Sequence, residues 1–201
     1  MSFDLRMPSA ALILLILCFL FPVFNYMTIP LFDGYLVKGV EAIQALMLLA
    51  FAIFTYLYMQ PLQRVSGQKQ FWLWAVLWWV LLFGRSTSWG RDYFPEVPKP
   101  YFRAISVCLI APVVFMLGSK ALRQEIAKKA RHMTVPVWAM ALTLIGLVIS
   151  DSIEHTRMLS MFFVLDTHYK DLLEELYEFP LIVGLFLVAY HFMQQDRSQQ
   201  D

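Results

Sequence analysis

Apolar residues run through this chain in six long blocks, at 8–26, 40–59, 71–88, 104–119, 134–152 and 172–193, separated by short polar stretches. A helix that crosses the hydrocarbon core of a bilayer takes about 20 apolar residues, within a range of about 17 to 25. Five blocks meet that length. The fourth is bounded by Arg103 and Lys120 and falls just short, but snorkelling of those two side chains extends it. No block alternates apolar and polar residues as a barrel strand would. The pattern predicts an all-α integral membrane protein: one transmembrane domain over 1–201, built as a bundle of six transmembrane helices with short loops and a polar tail from Gln194 to Asp201.

Composition agrees with a lipid solvent. The chain is 59% hydrophobic and 15% charged, whereas soluble domains are about half apolar and a quarter charged. A net charge of +1 without a broad basic face excludes a nucleic-acid partner. The lipid bilayer is the expected surrounding. Cys18 and Cys108 each lie inside an apolar block and read as packed thiols. Arg6 ahead of the first block gives it the look of a signal peptide. Phe24, Asn25 and Tyr26 offer no small-residue cleavage site, so an uncleaved first span is expected.

Positive charge sets the orientation. With the N-terminus inside, nine of the sixteen Lys and Arg residues fall on inner segments and seven on outer ones. The inner set is concentrated between Lys120 and Arg131, while the outer cations are interleaved with acids. Both termini are therefore expected in the cytoplasm of a bacterial inner membrane that the chain crosses several times. The stretch Lys120–His132 reads as a loop that enforces this topology. An amphipathic helix on anionic lipid heads is the other reading of the same residues.

With the spans drawn, the polar residues that intrude on them collect at the outer end. Asp151, Glu154 and His155 are spaced i, i+3, i+4 and share one helical face. Asp171, Glu174 or Glu175, and Glu178 repeat the pattern on the sixth span, where Pro180 is expected to bend the helix and free the carbonyl of Leu176. Arg85 stands roughly 24 Å above Lys69 at 1.5 Å per residue, below the outer headgroups. An ionisable group at that depth is costly and normally faces a partner in the bundle.

Arg85, Asp151, Glu154, His155 and Glu178 are accordingly expected to converge on an outward-facing pocket, with the segment from Gly84 to Asp92 unwound against it. His155, Glu154 and Glu178 are the candidates for acid/base chemistry, and Arg85, Arg91, Asp151 and Glu174 for ligand binding. His155 with Asp151 and Glu178 also offers the carboxylate-rich ligand set that hard cations or iron take, and an ion-pair network accounts for the same spacing. A plainer account covers the whole cluster: charges mark where hydrocarbon stops, and acids suit the positive N-terminal end of the sixth helix.

No GxSxG, HExxH or CxxC motif is present, and the sequence specifies no cofactor. The leading reading is an enzyme or binding protein for a lipid-linked or anionic ligand at the outer leaflet. A small proton- or ion-coupled transporter, working as a homo-oligomer, and an accessory subunit held by a partner membrane protein are the alternatives. Placement of the polar groups at one leaflet, away from the midplane, favours the first.

Overall fold

The computed structural model describes residues 2–27 and 30–198; the last three residues of the expected polar tail lie outside these. Seven α-helices occur among the described residues: α1 (Ser9–Leu20), α2 (Tyr35–Met59), α3 (Ser66–Ser86), α4 (Lys99–Met116), α5 (Lys120–His132), α6 (Val137–Glu154) and α7 (Lys170–Ser198). Two three-residue strands, β1 (Ser2–Asp4) and β2 (Thr134–Pro136), pair in parallel. Four helical stretches are long and apolar enough to cross a membrane: 9–26, the stretch 32–63 around α2, and the whole of α4 and of α6. The chain divides into two compact units. One comprises Ala42–Met133; the other joins Ser2–Glu41 to Thr134–Asp201.

In the unit formed by the chain's two ends, α6 and α7 pack along their length. The seam uses small residues. A Cβ on Gly146 would meet the backbone nitrogen of Leu181 at 2.5 Å, and one on Gly184 would meet the Thr143 hydroxyl at 2.6 Å. Glycine therefore lets the two backbones touch, the usual means of helix association where no water can be expelled. α7 continues through Pro180 as one helix, and the buried Pro180 lies on this seam side, one residue before Leu181.

α1 is closed onto this pair by one buried residue. Its α-helical turns stop at Leu20, and Phe21–Tyr26 continue as a tighter 3₁₀ helix with Pro22 in its first turn. Pro22 has no N–H, so the carbonyl four residues earlier, that of Cys18, loses its helical donor. The Tyr177 hydroxyl donates to that carbonyl at 2.9 Å. The Tyr177 ring is fully buried and meets Phe21 and Phe163 edge-on, at 5.2 and 5.3 Å between centroids. At the end of the same segment, the Asn25 amide donates to the carbonyls of Pro22 and Phe163 and accepts from the backbone N–H groups of Leu165 and Asp166.

The far end of this unit is tied by the strand pair. Trp138 donates its indole N–H to the Leu5 carbonyl, and the Gln195 amide exchanges two hydrogen bonds with the Thr134 backbone. The start of the chain, the start of α6 and the end of α7 thus share one end of the unit. Expected and observed boundaries differ here. The fifth block was read as helical from Thr134, but Thr134–Pro136 are extended because they pair with Ser2–Asp4, and the helix begins after Pro136.

In the other unit α3 and α4 form an antiparallel hairpin, and α5 folds back on the beginning of α3. Trp74 donates its indole N–H to the Val113 carbonyl. Arg123 donates to the carbonyls of Leu117 and Gly118 just past the end of α4. Both satisfy carbonyl groups that a helix C-terminus leaves open. The stretch read as a topology-setting loop is the helix α5. Its Leu122 is buried, and Lys129, 6% exposed, pairs with Glu125 at 3.4 Å and lies over the rings of Phe71 and Trp72.

The Tyr177 contact yields a double-mutant test. Tyr177→Phe leaves the Cys18 carbonyl buried without a donor and is expected to cost about 1–2 kcal/mol in unfolding. In a Pro22→Ala background the restored N–H can serve that carbonyl, so the same change costs less than half as much. Equal losses in both backgrounds, measured by thermal unfolding in detergent, would show that the hydroxyl does not substitute for the proline's missing donor.

Candidate functional site

The seven residues singled out above divide between the two units. Arg85 and Arg91 belong to Ala42–Met133; Asp151, Glu154, His155, Glu174 and Glu178 belong to the other.

Asp151, Glu154 and His155 do come together. The 3.6-residue period of α6 puts them on one face, and their ligand atoms lie within 4.8 Å of one another. His155 Nδ1 sits 3.4 Å from Asp151 Oδ1 and 3.7 Å from Glu154 Oε2. Glu174, in the first turns of α7, lies within range of the charges of Glu154, Glu178 and Asp171.

The cation serving these acids was not foreseen. α6 ends at Glu154, Thr156 takes a left-handed conformation (φ 52°), and the reversal carries Arg157 back over Asp151. Arg157 places its two terminal nitrogens 3.0 and 3.2 Å from the two Asp151 oxygens. Lys170 donates to the Glu154 carbonyl and the Thr156 hydroxyl. Helix-ending reversals of this kind usually carry glycine. Thr156 gave no such signal.

As a metal site this cluster is compromised. Two carboxylates and an imidazole are reasonable donors for a borderline or hard cation, but the Asp151 carboxylate is already engaged on both oxygens by a guanidinium. The three side chains are also solvent-accessible, His155 by 53%. The geometry is that of an ion-pair network closing a helix end.

The second cluster is cationic. α3 ends at Ser86, and Ser88, Trp89 and Gly90 follow with φ of 47°, 59° and 91°. Left-handed backbone at two non-glycine residues is unfavourable and persists only where packing imposes it. Here the Trp89 ring lies on Gly84, with ring atoms 3.0 and 3.1 Å from where a Cβ would stand. This turn and the first two turns of α4 line an open cleft of about 470 Å³ whose cationic side chains are solvent-exposed, within the size range of small-molecule sites.

Four cations line that cavity: Arg85, Arg91, Lys99 and Arg103. Ser88 and Ser106 add hydroxyl groups, and Trp89 and Phe102 supply apolar wall. No acid lines it among the described residues. Arg91 contacts its neighbour Asp92 at 3.5 Å; Arg85, Lys99 and Arg103 make no ion pair with the described residues. α4 has Pro98 at its cap position and no side-chain cap, and its N-terminus faces this cleft.

The pairing of Arg85 with Arg91 was expected; Lys99 and Arg103 were missed because the fourth span was started at 104. A signal was present. Lys99, Phe102, Arg103 and Ser106 are spaced i, i+3, i+4, i+7, a helical face running straight through the Pro-Lys-Pro start.

No family model, curated protein or solved structure matches this chain. Function therefore rests on these two clusters alone.

For the acid–His cluster, Arg157→Gln is expected to bind Mn²⁺ or Zn²⁺ about five- to tenfold more tightly than wild type. Removing one positive charge at about 4 Å is worth about 1 kcal/mol or more. Calorimetric titration that gives equal affinities for the two proteins would show that the guanidinium does not compete for Asp151.

Proposed function

We propose that this chain is a six-span protein of the bacterial inner membrane that binds a phosphate-type anion at the outer end of the α3–α4 hairpin. Besides the four stretches long and apolar enough to cross, α3 and α7 contain 21 and 29 residues. At 1.5 Å per residue they extend about 31 and 43 Å, enough for a core of about 30 Å. Six crossings put both termini on the same side. The gathering of Ser2–Asp4, Thr134 and Gln195 at one end of their unit supports that count.

One observation carries the ligand assignment: four cations around one cavity with no acid in its lining among the described residues. Like charges held together repel one another, weakly where water screens them as it does these exposed side chains. An anion that enters removes the repulsion, and guanidinium groups offer the paired N–H donors that phosphate oxygens accept. This reading assigns the site to binding.

Pyrophosphate titrated into detergent-purified protein is expected to bind saturably. Arg85→Gln and Arg103→Gln should each weaken it about tenfold or more, since a hydrogen bond to a charged group is worth about 1.5–3 kcal/mol. Lys120→Gln removes the same charge beyond the opposite end of α4 and should leave binding unchanged. Non-saturable binding, or equal weakening by Lys120→Gln, would overturn the assignment.

A further inference from the structure

The face of α4 that lines the cavity does not end with it. Lys99, Arg103, Ser106, Ile110 and Val114 follow one another at intervals of three or four residues, a single stripe down the helix. Its first two turns carry the cavity's cations and a hydroxyl. Below them the same stripe is apolar and open: Ile110 is 41% and Val114 57% exposed. Of the four helical stretches apolar enough to cross a membrane, α4 has the smallest buried share, 11% against 22–39% in the others. Its apolar residues are thus left uncovered along the very stripe that begins at the cations.

Resting on the anion-binding reading above, we propose that the ligand is a membrane lipid with a phosphate monoester or diphosphate headgroup. The headgroup sits among Arg85, Lys99 and Arg103, and the hydrocarbon chain lies on α4 against Ile110 and Val114. Charge separates the headgroup classes. A phosphodiester brings one negative charge to four cations, of which, among the described residues, Arg91 alone has a carboxylate beside it. A phosphate monoester brings about −1.5 to −2 at pH 7, and a diphosphate more. Geometry separates a lipid from a soluble anion, because the cationic stripe continues into an apolar one. Trp89 and Phe102 in the cavity wall suit the glycerol or first methylenes below a headgroup.

The test uses the full chain purified in a neutral maltoside detergent and native mass spectrometry with dioleoyl phosphatidate, dioleoyl phosphatidylcholine and inorganic pyrophosphate. Phosphatidate is expected to be retained at least tenfold better than phosphatidylcholine. The Arg85→Gln/Arg103→Gln pair should abolish that preference. The Arg85→Lys/Arg103→Lys pair keeps the charge, guards against a folding defect, and should reduce retention several-fold. Ile110→Gln/Val114→Gln should weaken phosphatidate at least fivefold and leave pyrophosphate unchanged.

Pyrophosphate binding as tight as phosphatidate, with neither sensitive to Ile110→Gln/Val114→Gln, would overturn the lipid assignment and keep the anion site. Retention of phosphatidylcholine equal to phosphatidate would overturn the headgroup assignment. Probes that bind weakly or not at all, or are indifferent to both arginine pairs, would overturn this inference and the anion reading together.

Discussion

The fold of the unit that holds both ends of the chain depends on how the carbonyl of Cys18 is satisfied. In hydrocarbon no water is at hand for a backbone group that loses its helical partner. Pro22 creates one such group and narrows the helix to 3₁₀ for its last turns. Tyr177 reaches from α7 to supply the missing donor. Its ring then fixes Phe21 and Phe163, and its own carbonyl lies against Gly146, so that three helices and a loop are referred to one side chain. Asn25 repeats the solution one turn later, with four hydrogen bonds from one amide.

The same requirement shapes the other unit by different means. The end of α4 is served by an indole from α3 and by the guanidinium of Arg123. Arg123 also brings positive charge to the negative end of the α4 dipole. α5 is held against α3 by buried Leu122 and by Lys129. An ammonium group with 6% exposure is expensive to desolvate. Glu125 and the faces of Phe71 and Trp72 offset that cost and make the position specific for a long cation. The basic stretch is therefore divided in use: Lys129 is part of the packing, Arg123 closes α4, and Lys120 and Lys128 face outward.

Much of this architecture was legible in the order of residues. Hydrophobic blocks of 16 to 22 residues overlap six of the seven helices, with ends displaced by up to about six residues where polar turns extend a helix, because desolvating a backbone in lipid leaves few options besides a helix. What escaped had a local or a distant cause. Thr134–Pro136 pairs with Ser2–Asp4 across 132 residues, and Pro136 also disfavours a helical Val135, a local signal that outweighs the apolar block. The stretch of α5 reads as a topology-setting loop or an amphipathic helix because its charge dominates its composition, and the helix is what forms. Its apolar positions are few, and their burial depends on α3. At the site, the i, i+3, i+4 spacing correctly placed Asp151, Glu154 and His155 together. Arg157 was invisible because a left-handed Thr156 turns the chain back without a glycine to announce it.

The two charged clusters differ in what they still need, and that difference bears on function more than their composition does. At the end of α6, Arg157 covers both oxygens of Asp151, and Lys170 closes the turn onto the Glu154 carbonyl. Asp151 is thus paired within its own unit, whereas Glu174 lies among the charges of Glu154, Glu178 and Asp171. At the end of α3, three exposed cations make no ion pair with the described residues, and a left-handed turn presents them together. Pairing with Arg157 accounts for Asp151 as part of a closed helix end. The three cations of the α3 cluster have no such partner among the described residues; the anion proposed above would supply the negative charge, and Trp89 packed on Gly84 holds the turn that presents the site.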